Sequence, residues 1–149
     1  MKLINGSELA KHLDIKIQNL IHSPKISPKK LAIVQIGDEE SSNTYIKIKQ
    51  KIAEKLQITV DLYKYKNNNP LNLLINDIKK ICNEPKYSSV IIQLPLPTKE
   101  HYKLLNLIPI EKDIDMLSRK SQQLFYSNKA YFNSPIAVSY THLTLPTKA

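Results

Sequence analysis

Apolar residues along the chain follow two spacings, and the alternation between these spacings predicts the secondary structure. Steps of three and four residues are typical of helices with one buried face, whereas short continuous or alternating apolar runs are typical of strands. The pattern predicts helices at residues 7–21, 41–56, 71–82 and 100–107, and strands at residues 31–36, 58–65 and 90–94. The apolar face of the first helix consists of Leu9, Leu13, Ile17, Leu20 and Ile21.

Strands that alternate with helices predict how the chain folds in three dimensions. Helical connections favour parallel strand pairing with right-handed crossovers. We therefore predict an α/β domain, a three-layer α-β-α arrangement around a mainly parallel sheet. Pro24 and Pro28 predict a loop between the first helix and the first strand. Asn69, which precedes Pro70 at the first predicted helical position, is a candidate helix cap.

Length and composition are those of one ordinary domain. The chain has 149 residues, of which 42% are hydrophobic, and this is enough for a buried core. No apolar run approaches the roughly 18 residues that a membrane span needs, so we expect no membrane partner. The single cysteine, Cys82, excludes an internal disulfide and favours a reducing cytoplasm. The four histidines have no spacing that suggests a metal site, and we expect none.

The formal net charge of +9 raises the possibility of a nucleic-acid partner. The basic residues are almost all lysines scattered along the chain, and Arg119 is the only arginine. Arginine is the usual bidentate reader of phosphate and guanine, so its near absence weighs against nucleic-acid binding. We expect no nucleic-acid partner, although a basic nucleic-acid-binding domain stays open as a minor alternative.

Three polar segments fall where the predicted strands end. They are residues 37–51, the sequence Gln-Leu-Pro-Leu-Pro at residues 93–97, and residues 109–115. Ligands of open α/β sheets bind outside the carboxyl ends of the strands. We therefore expect a ligand site at this edge of the sheet.

Within these segments four side chains carry the candidate chemistry. Tyr45 and Lys49 are four residues apart, so a helix places them on one face. A lysine that is brought towards neutrality can exchange protons, Gln93 can hold an amine through its side-chain carbonyl, and Asp115 can accept hydrogen bonds from an NH-rich heterocycle. Each feature alone also fits a half-buried tyrosine beside a solvated lysine, a proline-rich strand end or a charged turn.

Together, the order and spacing of these motifs resemble those of the bifunctional methylenetetrahydrofolate dehydrogenase/cyclohydrolases. The family's Gly-Asp stands at Gly37, its serine at Ser42, and its Tyr-x-x-x-Lys at Tyr45 and Lys49. The family's Gln-Leu-Pro-Leu-Pro is unchanged at residues 93–97, and its Pro-x-Lys-Asp-Val-Asp segment appears, in modified form, at residues 109–115. The resemblance covers roughly residues 1–136.

The resemblance implies an enzyme of one-carbon folate metabolism with two activities. One is the NADP-linked oxidation of 5,10-methylenetetrahydrofolate to the methenyl form, and the other is hydrolysis of that product to 10-formyltetrahydrofolate. Lys49 would be the catalytic residue, Gln93 would orient it, Asp115 would anchor the pterin ring and Tyr45 would stack on the aminobenzoyl ring. The implied catalytic residues are Lys49, Gln93 and Asp115, and the implied substrate-binding residues are Tyr45, Lys49, Gln93, Leu94, Pro95 and Asp115.

The sequence departs from the family pattern near the pterin end of the implied pocket. Met116 stands where the family has a glycine, and Ser121 and Gln123 replace its later asparagine and glycine. Ser89 occupies a further glycine position. Loss of a glycine at a tight turn implies rearranged or strained backbone, so we expect these changes to act on pterin binding more than on Lys49.

The family continues into a Rossmann domain with a glycine-rich NADP loop, and this sequence has no glycine after Gly37. We therefore expect a folate-binding catalytic domain at residues 1–137, a non-native or disordered tail at 138–149, and no cofactor-binding residues in this chain. The expected parent enzyme is a homodimer, and the fragment should be weakly active or inactive. A non-catalytic folate-binding module is the main alternative.

Overall fold

The computed structural model describes residues 6–21 and 30–130, with four α-helices, three strands and one 3-10 helix. The predicted tail at 138–149, the domain boundary at 137 and the loop with Pro24 and Pro28 lie outside the described residues. The elements in chain order are α1 (Gly6–Ile21), β1 (Lys30–Ile36), α2 (Glu40–Lys55), β2 (Thr59–Tyr65), α3 (Leu71–Asn83), β3 (Tyr87–Ile92), the 3-10 helix (Lys99–Leu107) and α4 (Arg119–Tyr126).

The three strands form one parallel sheet in the order β2-β1-β3. Val34 at the centre of β1 pairs with Tyr63 of β2 on one side and with Ile92 of β3 on the other. Since the strands are parallel, their carboxyl ends meet at one edge of the sheet. The predicted parallel α/β sheet is confirmed.

Alternate residues of the central strand enter two separate apolar layers, because successive side chains of a strand point to opposite faces. Ala32, Val34 and Ile36 pack on the side of α3 and the 3-10 helix. Ile33 packs on the other side, with Ile46 of α2 and Ile91 of β3. Helices therefore cover both faces of the sheet, and the three-layer prediction is confirmed.

The sequence pattern missed α4 and misplaced one cap. The α4 helix begins after Ser118, whose Oγ accepts a hydrogen bond from the backbone N–H of Ser121 at 3.2 Å. Asn69 does not cap α3; its Oδ1 accepts from the backbone N–H of Lys66, and Pro70 is the N-cap. A proline can open a helix because the N–H that it lacks would have no partner there.

Three of the five residues on the apolar face predicted for α1 lie on the surface. Leu13, Ile17 and Leu20 are all exposed, as are Ile48 and Ile52 of α2. Lys55 of α2 forms an ion pair with Asp14 of α1, which joins the two helices at the surface. Over residues 6–21 and 30–130, the helices lack the length and apolar character that crossing a membrane requires.

Candidate active site

The helix α2 turns a stripe of four residues towards the sheet. Ser42, Ile46 and Ala53 are buried, and Lys49 falls between the last two of them at helical spacing. A lysine on the buried stripe must direct its ammonium to an anion or to solvent, since an unpaired buried charge is strongly unfavourable. This position separates Lys49 from Lys47 and Lys51, which are exposed.

The partner of Lys49 is Asp115, which lies 66 residues further along the chain. The Nζ of Lys49 donates to Oδ2 of Asp115 at 3.0 Å, and each side chain is 29% exposed. The pair is therefore shielded on most sides but open to a small molecule. Both residues had been predicted as site residues, and the fold brings them into direct contact.

Two anchors place Asp115 over the α2 face of the sheet. The Nζ of Lys112 donates to the carbonyl oxygens of Cys82 at 2.6 Å and Glu84 at 3.1 Å, at the C-terminus of α3. A cation stabilises these helix-end carbonyl groups. The carbonyl of Lys112 in turn accepts a hydrogen bond from the backbone N–H of Val90 at 2.9 Å. The polar segment at residues 109–115 is thus fixed to both α3 and β3.

Asp113 stabilises the turn that follows Asp115 in the sequence. Its buried carboxylate accepts hydrogen bonds from the backbone N–H groups of Leu117 at 3.2 Å and Ser118 at 3.0 Å. Met116, which directly precedes Leu117, has a φ of 53°, in the left-handed region that favours glycine. The expected backbone strain at Met116 is therefore present, and the Met116 side chain is buried.

Gln93 extends β3 by one residue and points to the α2 side. Its backbone N–H donates to the carbonyl of Val34 at 2.9 Å, and its Nε2 donates to the carbonyl of Leu94 at 2.9 Å. Its Oε1 is buried without a hydrogen-bond partner. A buried acceptor left in this way costs about 1–3 kcal/mol. The expected contact between Gln93 and Lys49 is not formed in this structure, because Lys49 is paired with Asp115.

Tyr45, Leu94 and Pro95 border this site at different depths. The Tyr45 side chain is 59% exposed, one helical turn before Lys49, so its ring is available to a ligand. Leu94 is half-buried against the apolar layer of α3, and Pro95, joined to it by a cis peptide bond, is exposed. An exposed ring and a proline loop give the site an apolar rim next to its charged pair.

A second polar network at the same edge was not predicted. The Nε2 of buried Gln35 donates to Oδ1 of Asn43 at 2.7 Å, and Nδ2 of Asn43 donates to Oδ1 of Asp38 at 2.9 Å. The Oε1 of Gln35 is buried without a partner, like that of Gln93. The sequence feature that could have indicated this network is a glutamine within an otherwise apolar run of β1. The network fixes the first turn of α2 to the end of β1.

A cavity of ≈ 660 Å³ lies elsewhere, between the segment after the 3-10 helix and the start of α4. Its lining includes Asn106, Glu111, Arg119 and Lys120, and contains none of the predicted site residues. The Lys49–Asp115 pair lies outside this cavity, and each of its two side chains is 29% exposed.

Comparisons with known proteins show which family the sequence matches. The sequence model for "Tetrahydrofolate dehydrogenase/cyclohydrolase, catalytic domain" matches residues 4–115. The chain is 32% identical over 132 residues to the bifunctional protein FolD of Thermoplasma acidophilum, covering 88% of this chain and 47% of that protein. It is 36% identical over 133 residues to the bifunctional protein FolD of Mycoplasma mobile, covering 87% of this chain and 46% of that protein.

The fold is also similar to a solved structure. The crystal structure of the bifunctional 5,10-methylenetetrahydrofolate dehydrogenase/cyclohydrolase of Thermoplasma acidophilum superimposes with a TM-score of 0.82 at 28% identity. The superposition covers 94% of this chain and 51% of that one. The chain spans about half the length of the curated relatives it matches.

Proposed function

The chain belongs to the tetrahydrofolate dehydrogenase/cyclohydrolase family, and on that premise we propose that its Lys49 site binds a tetrahydrofolate derivative and hydrolyses 5,10-methenyltetrahydrofolate to 10-formyltetrahydrofolate. In the whole protein this hydrolysis follows the NADP-linked oxidation of 5,10-methylenetetrahydrofolate. The observation that carries the proposal is the Lys49–Asp115 pair, whose Nζ and Oδ2 atoms are 3.0 Å apart and which joins α2 to the segment after the 3-10 helix.

The hydrolysis needs a group that moves protons beside the reacting carbon. Water adds to the carbon that joins N5 and N10, and both water protons leave. The bond from that carbon to N5 then breaks as N5 takes up one proton, so one proton is released overall. Lys49 carries the only side-chain nitrogen of the buried α2 stripe, and it relays these protons and stabilises the developing negative charge.

The other residues bind and orient the substrate. The Asp115 carboxylate accepts hydrogen bonds from the ring N–H groups of the pterin. The exposed ring of Tyr45 stacks on the aminobenzoyl ring, and Leu94 and Pro95 form the apolar side of the site. Gln93 lies at the base of the site and orients the Lys49 amine once the substrate is bound.

The oxidation would need NADP as its hydride acceptor. Dinucleotide phosphates bind at glycine-rich loops, whereas the glycines of this sequence are Gly6 and Gly37. At Gly37 a Cβ atom would meet the side chain of Asn67, and neither glycine belongs to a glycine-rich loop. The described residues do not fit NADP, and no step of the oxidation is assigned to them.

The proposal includes a small-molecule substrate, a homodimeric parent protein, a cytoplasmic location and no nucleic-acid partner. The scattered lysines and the single arginine support the last point. Light scattering on the purified protein tests the dimer. Binding to a generic DNA duplex that weakens steeply with salt would contradict the absence of a nucleic-acid partner.

The hydrolysis is tested by following the loss of 5,10-methenyltetrahydrofolate absorbance with the purified chain. Lys49→Ala should reduce the rate at least about 100-fold, as expected for loss of a proton-transfer group. Lys47→Ala is the matched control, because it removes the same charge from the exposed side of the same helix. A chain that binds folate without any Lys49-dependent hydrolysis is a non-catalytic folate-binding module, and the proposed catalysis is then wrong.

A further inference from the structure

In this structure the Lys49 ammonium and the Asp115 carboxylate form an ion pair with each other. The substrate needs both groups, and the ion pair engages both. The ion pair leaves the Oε1 of Gln93 buried and unpartnered. The Nε2 of the same side chain donates to the carbonyl of Leu94, so the side chain is held in place while its oxygen has no donor. The Lys49 ammonium is meanwhile bound to Asp115.

We propose that the Lys49–Asp115 ion pair is a latch that an NH-rich heterocyclic ligand opens. The ligand's ring N–H groups take over the Asp115 carboxylate, and the released Lys49 ammonium donates to Oε1 of Gln93. The inference rests on the proposed folate site and adds to it a closed, ligand-free state. In that state the proton-transfer group cannot act until the substrate has engaged Asp115.

The geometry of α2 supports this exchange of partners. Gln93 is held close to α2, because its amide and the hydroxyl of Ser42 both donate to the carbonyl of Leu94, at 2.9 and 3.1 Å. Ser42 and Lys49 lie on the same stripe, two helical turns apart. Long side chains of a helix lean towards its N-terminus, which is the direction from Lys49 towards Ser42 and Gln93.

The energetics also favour an opening by the ligand. An ion pair with 29% of each side chain exposed is partly screened by solvent and weak. Several N–H groups on a rigid ring can each donate to the two carboxylate oxygens, and such hydrogen bonds to a charged acceptor are stronger than neutral ones. The released ammonium also supplies the donor that Gln93 lacks.

If Lys49 only contacted the ligand, removal of the lysine side chain would weaken ligand binding. In a chain without the Gln93 acceptor, the latch predicts the opposite, namely that removal of this side chain strengthens ligand binding. Calorimetric titration with 5-formyltetrahydrofolate, a stable reduced folate, gives the Kd of the unchanged chain, of Gln93→Leu and of Gln93→Leu combined with Lys49→Met. In the Gln93→Leu background a released lysine gains no new acceptor, so Lys49→Met, which has no pair to break, should there bind up to about fivefold more tightly. Lys47→Met in the same background is the control, because it removes the same charge from the solvent side of α2 and should not tighten binding.

The outcomes separate the latch from the proposed function. In the Gln93→Leu background, tighter binding on Lys49→Met but not on Lys47→Met supports the latch. Folate binding that is unchanged or weaker on Lys49→Met in that background overturns the latch and leaves the folate site standing. No folate binding by the unchanged chain overturns both. Circular dichroism of each variant establishes that it is folded before its Kd is compared.

A second measurement tests whether the released Lys49 ammonium binds Gln93 in the chain with the unchanged sequence. The ¹⁵Nζ resonance of Lys49 is assigned by its disappearance in Lys49→Met, and it should shift when 5-formyltetrahydrofolate is added. In Gln93→Leu the ligand-bound resonance should have a different position, because the new acceptor is missing. An identical ligand-bound position in Gln93→Leu and in the unchanged chain would overturn the transfer to Gln93.

Discussion

Ser42 of α2 and Gln93 at the end of β3 donate hydrogen bonds to the same acceptor, the carbonyl oxygen of Leu94. The Ser42 Oγ lies 3.1 Å from this oxygen, and the Nε2 of Gln93 lies 2.9 Å from it. Ser42 is 52 residues from Leu94 in the sequence. The shared carbonyl therefore joins the helix that carries Lys49 to the strand end that carries Gln93.

Ser42→Ala should loosen this junction. The buried hydroxyl is lost, and the Leu94 carbonyl keeps only the Gln93 amide, so we expect a loss of about 1 kcal/mol in the free energy of unfolding. Because Gln93 and Lys49 then lose their common support, KM for 5,10-methenyltetrahydrofolate should rise more than kcat falls. Urea unfolding and steady-state hydrolysis measure the two effects. Ser41→Ala, at the exposed neighbouring position, is the control, and equal effects of both variants would contradict the role of Ser42.

The sequence predicted the sheet because its strands are local apolar runs whose pattern needs no distant partner. The α4 helix was missed because its residues are mostly polar and its start is fixed by side-chain hydrogen bonds rather than by an apolar pattern. Asp113 binds the backbone N–H of Ser118, and Ser118 caps the helix. The motif order placed Lys49 and Asp115 at one edge of the sheet. Their direct pairing could not be predicted, because it depends on how Lys112 fixes the loop to α3.

Gln57→Gly should stabilise the fold by about 0.5–1 kcal/mol. Gln57 directly follows the C-cap residue of α2 and has a φ of 57°. Its backbone N–H donates to the carbonyl of Glu54, and the N–H of Ile58 donates to the carbonyl of Ala53. These two hydrogen bonds are the paired pattern of a helix C-terminus with a left-handed residue. A residue with a Cβ atom is disfavoured in this left-handed conformation, and glycine is not. The free energy of unfolding from urea titration measures the gain.

Asn128→Gly is the matched control for this prediction. Asn128 ends α4 with a φ of 55° and the equivalent pair of backbone bonds, but asparagine already tolerates the left-handed region. We expect a smaller gain at this position than at Gln57. A gain at Asn128 equal to that at Gln57 would show that relief of left-handed strain is not the cause.

Cys82 should be unreactive in the folded chain. It is buried on α3, and burial raises the pKa of its thiol to about 11, against a smaller opposing effect of Lys112. The thiolate is the reactive form, so a disulfide reagent at about pH 8 should label the folded protein slowly and the urea-unfolded protein fast. Since Cys82 is the only cysteine, one released thiolate per chain measures the reaction. Equally fast labelling with and without urea would contradict the burial of this thiol.

Tyr87→Phe should remove part of the acid sensitivity of folding. The Tyr87 hydroxyl donates to Oδ2 of Asp61 at 2.6 Å, and this hydrogen bond is the largest cause that lowers the pKa of Asp61 below its ordinary 3.8. Lys30 and Lys86 lower this pKa further, and desolvation opposes them. A carboxyl with a lowered folded pKa stabilises the folded state above about pH 4, and this stabilisation is lost as the pH falls through the folded pKa.

The phenylalanine variant should therefore lose about 1–2 kcal/mol in the free energy of unfolding at about pH 7 and less at about pH 3, where the carboxylate is being protonated. Urea unfolding at both pH values measures the difference. Tyr126→Phe, which removes the hydroxyl of a residue that is 84% exposed, should change neither value. The same loss at both pH values would mean that the Tyr87 hydroxyl acts independently of the charge of Asp61, through its contact with the hydroxyl of Tyr63 in β2. A loss confined to the higher pH would mean that the hydroxyl acts through the charge of Asp61, which joins β2 to Tyr87 at the start of β3.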